Sequence, residues 1–253
     1  MEKMTEIRKM QLEIVYMMSD INALFNKNSI KYTLLGGSVL GAIRHNGFIP
    51  WDDDMDVGVF RVDFEKVEKL LSSMKKYVYE PAENHIVPDA PIGHIHVVNN
   101  TYKIENSPTI DVFALDYVPD DKKNQKKLRF YANIHHLAVL RRAPKNRGKI
   151  KRILFQFLLN TISEKSWDKI QRLSLKKIME FCKNQNTWIG NIWGFWTEKE
   201  YFPREVYENL VVHDFEGMQL PIPADYNKYL SQMYGNYMEL PPEEKRVPKH
   251  REF

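Results

Sequence analysis

The 253-residue sequence contains a single cysteine, Cys182. One thiol excludes an internal disulfide, and it also excludes a zinc site built from several cysteines. Such sparing use of cysteine fits a protein of a reducing compartment.

Long apolar runs are absent as well. Residues 1–9 mix acids and bases without an apolar stretch, so no signal peptide is predicted. The longest apolar stretch, residues 153–162, is interrupted by Gln156 and Asn160 and is too short to cross a bilayer. We therefore expect a cytoplasmic protein, or one that is peripheral on the inner face of the membrane.

Acidic residues are missing from one block, residues 122–152, which holds twelve Lys and Arg residues. The net charge of +4 thus averages two unlike parts, because the other 25 basic residues stand against 33 acidic ones. An apolar stretch, residues 153–159, follows the block. Two interpretations are open: a solvated helical face, or a docking surface over residues 122–159 for an anionic membrane.

The pattern of apolar residues predicts a mixed α/β fold. Runs rich in β-branched and aromatic residues predict strands at 32–35, 55–60, 77–79, 94–98 and 109–115, and a hairpin over 210–222. Apolar residues at three- and four-residue steps predict helices over 5–27, 38–45, 64–74, 122–181 (in part) and 225–234. Asp63 and Ser166 are predicted as helix caps, and Ser38 as a residue able to cap the helix that it begins.

Gly36-Gly37-Ser38 lies between a predicted strand and a predicted short helix. Glycines let the backbone approach an anion closely, and the start of a helix offers free N–H groups to phosphate. A simple turn would have the same sequence, so this tripeptide alone decides nothing.

Four carboxylates follow within five positions, at Asp52, Asp53, Asp54 and Asp56. Side chains alternate along a strand, so Asp54 and Asp56 point to the same side, where two carboxylates suit Mg²⁺ or Mn²⁺. An acidic surface turn is the alternative interpretation.

A further carboxylate, Asp111, interrupts an otherwise apolar strand. An unpaired buried charge is costly, so Asp111 should meet a cation or a hydrogen-bond donor, or an arginine in a purely structural role. If its strand pairs beside residues 55–60, Asp54, Asp56 and Asp111 converge. Asp116 is the competing candidate, at a strand end where it would cap a turn.

These residues resemble a known family. The stretch LGGSVLGAIRHNGFIPWDDDMDV (residues 35–57) is similar to the signature of the LicD/fukutin/fukutin-related protein group, whose members share a nucleotidyltransferase fold. Residues 110–116 resemble the family's next strand, and residues 215–217, 222–226 and 234–238 resemble its C-terminal segments. The resemblance runs from about 32 to 250 with a variable middle, and a cysteine-bound zinc insertion found in some relatives has no counterpart here.

The resemblance implies a reaction. Family members transfer phosphocholine, or a related alditol phosphate, from a CDP-linked donor to a hydroxyl of a glycan, and CMP is released. Carried over by motif, Gly37 and Ser38 would hold donor phosphate, Asp54 and Asp56 would bind Mg²⁺ (or Mn²⁺), and Asp111 would be the third carboxylate. Which aspartate ligates the metal and which accepts the hydroxyl proton stays open.

Arg44 and His45 follow the phosphate-binding turn, so either could reach a donor phosphate. For Arg44, an ion pair with one of the surplus aspartates is the alternative. His94 and His96 alternate along a strand, and a half-exposed strand face is favoured over a zinc pair.

Aromatic residues crowd the segment from 188 to 201. Aromatic faces recognise quaternary ammonium groups, so Trp193, Trp196 and Tyr201 are candidates for a choline pocket. Packing against the core is the simpler role for most of them.

We therefore predict an α/β (α+β) protein. It would comprise an N-terminal amphipathic helix (1–27), a nucleotidyltransferase-like mixed-sheet core (28–120), a helical basic insert (121–185) and a C-terminal segment completing the site (186–253). The expected activity is metal-dependent transfer of phosphocholine from CDP-choline to a sugar hydroxyl of a cell-surface glycan precursor, which could be lipid-linked. CDP-ribitol or CDP-glycerol is the alternative donor. A non-catalytic protein that binds anions or nucleic acid through residues 122–152 is the alternative of another class, although no nucleic-acid partner is expected.

Overall fold

The computed structural model describes residues 5–81, 92–99, 101–141, 149–183, 185–194 and 197–248. Its helices are α1 (Glu6–Lys27), α2 (Gly36–His45), α3 (Arg61–Ser72), α4 (Lys122–Leu140), α5 (Lys149–Thr161), α6 (Glu164–Phe181), α7 (Glu205–Glu208) and α8 (Tyr226–Tyr234). Its strands are β1 (Tyr32–Leu34), β2 (Asp54–Phe60), β3 (Val78–Glu80), β4 (Gly93–His96), β5 (Thr109–Val118), β6 (Trp188–Gly190), β7 (Tyr201–Pro203), β8 (Leu210–Phe215) and β9 (Met218–Pro223).

Seven strands form one mixed sheet, and two form a separate hairpin. The main order is β1-β2-β5-β4-β3, and β6 joins the end of β5 and carries β7 beside it. Only β2 and β5 run parallel among the pairs in the described residues; the other pairs are antiparallel. The mixed α/β fold predicted from the sequence is confirmed, and the predicted hairpin over residues 210–222 is β8-β9.

Strand β5 is the centre of the sheet because it pairs with three neighbours. Its residues Thr109–Val118 are buried except for Asp111 and Tyr117, which are partly buried. A strand covered on both faces is expected to be continuously apolar and β-branched, as this one is. The aspartates at 111 and 116 break that rule, and each has a specific partner described below.

Helix α1 packs its apolar face against the sheet, as its periodicity predicted. Ile14, Met17, Met18, Ile21 and Phe25 recur at three- and four-residue steps and are at most 1% exposed. Full burial of such a side chain stabilises the fold by about 1.5–3 kcal/mol. The polar face of the same helix carries Gln11 and Arg8, which hold parts of the site.

Three predicted caps lie inside their helices instead. Helix α2 begins at Gly36, so Ser38 is in its first turn, where its hydroxyl accepts a hydrogen bond from the Asp56 N–H. Helix α3 follows β2 directly, and Phe60 occupies the cap position because sheet pairing holds it there; Asp63 is in the first turn. Ser163 caps α6 and accepts from the Ser166 N–H.

Helices α4 and α6 pack against each other and form the helical region that contains the basic block. Asp121 caps α4 through the Asn124 N–H, and Arg141 ends it in a left-handed conformation. Arg141 then pairs with Asp168 of α6 at 2.7 Å. No helix in the described ranges is long and apolar enough to cross a membrane.

Candidate active site

Helix α2 starts against the acidic residues of β2. Gly36 has φ +49°, a left-handed value that favours glycine, and its N–H donates to the Tyr229 hydroxyl at 2.8 Å. A Cβ at Gly36 would lie 3.0 Å from Asp56 Oδ2, and one at Gly37 would lie 2.9 Å from Asp52 Oδ2. The two glycines therefore let the positive end of the helix approach two carboxylates closely.

Asp54, Asp56 and Asp111 converge at one place on the sheet. Because β2 and β5 are parallel and in register, Asp56 is directly opposite Asp111, and Asp54 is opposite Thr109. One carboxylate oxygen of each of the three aspartates lies within 4.8 Å of the other two. Asp52, Asp53 and Asp54 form a second group with the same spacing, which extends the cluster into the loop before β2.

Bringing these carboxylates together has an electrostatic cost. Burial raises the pKa of the Asp56 carboxyl well above its usual value, and the carboxylates of Asp54, Asp111, Asp52 and Glu200 raise it further. Converging hard oxygen ligands of this kind fit Mg²⁺ or Mn²⁺, because a divalent cation removes the repulsion between them.

The loop that carries Asp52 is fixed from two sides. Gln11 of α1 donates to the backbone carbonyls of Ile49 and Asp52, at 3.2 and 2.9 Å. Arg8 makes a bidentate ion pair with Glu216 of the hairpin, and Glu216 also accepts from the Phe48 N–H. Side chains of α1 and of the C-terminal hairpin thus hold residues 48–52, which lead into the cluster, in place.

Arg44 and His45 lie at the C-terminal end of α2. Arg44 donates to the Tyr237 carbonyl at 2.9 Å and to the His45 ring at 3.0 Å, so it contacts the C-terminal segment rather than an aspartate. Burial and the nearby Arg246 lower the pKa of Arg44, and burial and Arg44 lower the pKa of His45. Arg246 itself packs over the Trp51 ring, next to Asp52 in the chain.

Asp116 does not cap a turn, contrary to the sequence-based interpretation. It is an internal residue of β5, 1% exposed, and its carboxylate accepts two hydrogen bonds from Arg61 at 2.8 and 2.7 Å. The arginine pairing considered for Asp111 is therefore found at Asp116. Asp111 has a different partner, His94, whose Nδ1 lies 2.8 Å from Asp111 Oδ1.

The half-exposed face predicted for His94 and His96 is wrong, because both side chains are buried. Strand β4 lies between β3 and β5 and is buried on both faces, which the alternating pattern alone did not indicate. His96 Nδ1 faces the hydroxyls of Ser107 and Thr109 at 2.9 and 3.1 Å. Neither of the two carboxylate groups that could hold a metal in the described residues includes a histidine.

Two of the three candidates for a choline pocket are buried, and the third is not described. Trp193 is 8% exposed and packs beside the His135 ring, and Tyr201 is 1% exposed within β7. Trp196 lies outside the described residues. The choline pocket therefore stays a prediction.

Sequence reasoning missed two groups beside the cluster. Glu200 is a buried acid at the end of a 3₁₀ turn (Thr197–Glu200), and its charge raises the pKa of Asp56. Tyr234 lies beside Gly36, and burial raises its pKa, with Asp56 and Glu200 adding to the effect. The sequence does not indicate that Glu200 is buried, since its charged run resembles a solvated turn. Tyr234 lies in one of the segments that resemble the family.

Known proteins resemble this chain over part or all of its length. A family model described as "LicD/FKTN/FKRP, nucleotidyltransferase domain" matches residues 29–140. The lipopolysaccharide cholinephosphotransferase LicD of Haemophilus influenzae is 31% identical, and the alignment covers 99% of this chain and 97% of that protein. The chain belongs to the LicD family. The ribitol 5-phosphate transferase FKRP of Homo sapiens is 49% identical over 41 residues, which are 16% of this chain and 8% of FKRP.

Membership of the LicD family confirms the resemblance noted in the sequence and makes the chain a phosphotransferase. The family match over residues 29–140 contains the start of α2 and all three converging aspartates. The acidic cluster thus lies in the nucleotidyltransferase part of the chain.

Proposed function

We propose that this protein transfers phosphocholine from CDP-choline to a sugar hydroxyl of a cell-surface glycan precursor and releases CMP. The observation that carries the proposal is the convergence of Asp54, Asp56 and Asp111 against the start of α2. Its substrate assignment is supported by the cholinephosphotransferase of similar length and sequence.

The acidic cluster would hold the metal. Asp54 and Asp56, with Asp111 beside them, are the residues that would bind a divalent cation, Mg²⁺ or Mn²⁺. Such a cation supplies charge neutralisation to a diphosphate donor and stabilises the leaving CMP. Gly37 and Ser38 lie in the first turn of α2, at the positive end of the helix and next to the cluster, and would contact donor phosphate.

The reaction needs a displacement at the phosphocholine phosphorus. The acceptor hydroxyl oxygen forms the new P–O bond, the P–O bond to CMP breaks, and the bonding electrons leave with the CMP phosphate. The hydroxyl proton goes to a carboxylate, for which Asp111 is our candidate because it lies at the edge of the cluster and is partly exposed. Arg44 and His45 would contact the donor phosphates from the C-terminal end of α2.

The donor head group distinguishes a phosphocholine transferase from an alditol phosphate transferase. The partial match to a ribitol 5-phosphate transferase favours CDP-ribitol, or the smaller CDP-glycerol, as the alternative donor. The test is a screen of CDP-choline, CDP-ribitol and CDP-glycerol for Mg²⁺-dependent CMP release with a glycan acceptor. We expect CDP-choline to give the largest kcat/KM; a preference for either alditol donor would overturn the choline assignment and keep the chemistry.

A non-catalytic role for the basic block is disfavoured. Two of its arginines are engaged in ion pairs, Arg129 with Glu198 at 2.5 Å and Arg141 with Asp168. A protein that only bound anions would also have no use for the converging aspartates.

We also propose that residues 122–159 dock on an anionic membrane, which would make the enzyme peripheral on the inner face and bring it near a lipid-linked acceptor. On α5, Ile153 and Phe157 are one helical turn apart and are 70% and 62% exposed. On α4, Lys123, Lys126 and Lys127 are exposed. An exposed apolar face and exposed lysines within the same stretch of chain suit the boundary between head groups and acyl chains.

Liposome flotation tests this docking. We expect the wild type to float with vesicles containing phosphatidylglycerol and not with phosphatidylcholine alone, and binding should fall as salt is raised. Replacing Ile153 and Phe157 by Glu should abolish flotation. Val62→Glu is the control, because Val62 is 87% exposed on α3, outside this surface. Equal binding to both vesicle types would contradict the electrostatic contact.

A further inference from the structure

A single row of side chains crosses four strands of the sheet. Asp56 of β2 is opposite Asp111 of β5, Asp111 is opposite His94 of β4, and His94 is opposite Glu80 of β3. Residues directly opposite one another project from the same face of a sheet. The row therefore contains three carboxylates and one imidazole, and the imidazole is next to the carboxylate at the edge of the acidic cluster.

The contact between His94 and Asp111 is a partly buried hydrogen bond. Nδ1 of His94 lies 2.8 Å from Oδ1 of Asp111, and the side chains are 8% and 18% exposed. A carboxylate can only accept, so Nδ1 carries the proton and donates it to this bond. The bond needs no positive charge on the imidazole, because the neutral tautomer with hydrogen on Nδ1 is sufficient.

The imidazole is itself held in place. Its ring lies 5.9 Å from the His96 ring, and His96 is fixed by the hydroxyls of Ser107 and Thr109. His96 Nε2 also lies 3.5 Å from the buried carboxylate of Glu80. The neighbours of His94 are thus packed closely together, which limits the movement of its ring.

We propose that His94 is a positioning residue that orients the Asp111 carboxylate for the divalent cation. This inference rests on the proposed metal site and extends it by one residue. With Oδ1 held by His94, rotation of the carboxylate is restricted, and its oxygens stay directed at Asp54 and Asp56. Groups that hold a metal ligand in this way typically contribute a factor of about 10–100 to metal affinity.

Binding of Mn²⁺ to the full-length protein tests the proposal without any donor or acceptor. Free Mn²⁺ is measured by electron paramagnetic resonance at fixed pH, for the wild type and for three variants of His94. We expect His94→Phe, which keeps a ring and loses the donor, to weaken Mn²⁺ binding about 10–100-fold. His94→Asn should retain most of the affinity, because its amide reaches the position of Nδ1. His94→Gln should not, because its amide reaches the position of Nε2.

Two controls separate the possible results. His135→Phe changes an equally buried histidine of α4, whose Nδ1 faces the Gln171 carbonyl and the Ser174 hydroxyl, and it should leave Mn²⁺ affinity unchanged. Asp54→Asn should remove high-affinity binding. If Asp54→Asn binds Mn²⁺ weakly and His94→Phe binds it like the wild type, the positioning role is wrong and the metal site stands. Wild-type affinity in Asp54→Asn would overturn the metal site and the role of His94 together. Should His94→Phe fail to fold, equal affinities of the Asn and Gln variants would still overturn the proposal.

Discussion

Replacing Asp54 or Asp56 by asparagine is expected to abolish Mg²⁺-dependent CMP release from CDP-choline. The amide keeps the shape of the side chain but loses the negative charge that would bind the cation. Loss of one preorganised electrostatic group of this kind lowers kcat by roughly 10²–10³-fold, and a metal ligand should reach at least that value. The assay is CMP release at saturating donor. Full activity in either variant would contradict the metal assignment.

The same substitutions should make the metal-free protein more stable. The folded-state pKa of Asp56 is raised by burial first and then by the neighbouring carboxylates, whereas in the unfolded chain it returns to about 3.9. An acid whose pKa is higher in the folded state lowers the free energy of unfolding as the pH rises from the unfolded value through the folded one. Asp56→Asn removes this loss.

Thermal unfolding in the presence of a chelator measures the effect. Between about pH 4 and 7 the Tm of the wild type should fall more steeply than that of Asp56→Asn, since only the wild type gains charge at this position. Each kcal/mol of relieved repulsion corresponds to roughly 2–4 °C in a chain of this length. Added Mg²⁺ should raise the Tm of the wild type and leave that of the variant unchanged. Asp63→Asn is the matched control, because Asp63 lies outside the cluster in the first turn of α3. Parallel pH profiles for wild type and Asp56→Asn would show that the cluster is not under electrostatic strain.

The convergence of Asp54, Asp56 and Asp111 could be predicted from the sequence because it depends mostly on local strand structure. The alternation of Asp54, Met55 and Asp56 along β2 puts the carboxylates on one side and the apolar side chain on the other, and it requires only that the segment be a strand. The aspartate within the apolar strand β5 was visible for the same reason. Parallel pairing of these two neighbouring strands then aligned Asp56 with Asp111.

The parts that escaped prediction depend on distant neighbours. The sequence His94-Ile95-His96 has the alternation of a half-exposed strand, but β4 lies inside the sheet and all four of its residues are buried. Glu200 lies in a charged turn, and its carboxylate is buried next to Gly194, a few residues after β6. Ser38 resembled a cap because the pattern did not show that the Asp56 N–H, eighteen residues away, would use its hydroxyl.

Asp116 also depends on a distant neighbour, because the Arg61 side chain that pairs with it lies 55 positions away in the chain. Its carboxylate is 1% exposed, whereas the Arg61 side chain that binds it is 38% exposed. Replacing Asp116 and replacing Arg61 therefore leave different unpaired charges in the protein. Removing Asp116 frees an arginine that can turn toward water. Removing Arg61 leaves a buried carboxylate beside Cys182, whose own thiol pKa is raised by burial and by Asp116.

Arg61→Met is accordingly expected to destabilise the protein more than Asp116→Asn. Breaking a buried ion pair by removing one partner costs about 3–5 kcal/mol, and Arg61→Met should reach this range because the stranded charge cannot be hydrated. Asp116→Asn should cost less, since its amide oxygen can still accept from the guanidinium and Arg61 is already partly hydrated. The double variant Arg61→Met/Asp116→Leu should recover much of the loss, because no charge remains buried. Urea unfolding measures all three. Because Asp116 lies outside the converging aspartates, CMP release per folded molecule should stay near wild type in Asp116→Asn. Loss of activity without loss of stability there would instead make Asp116 part of the catalytic machinery.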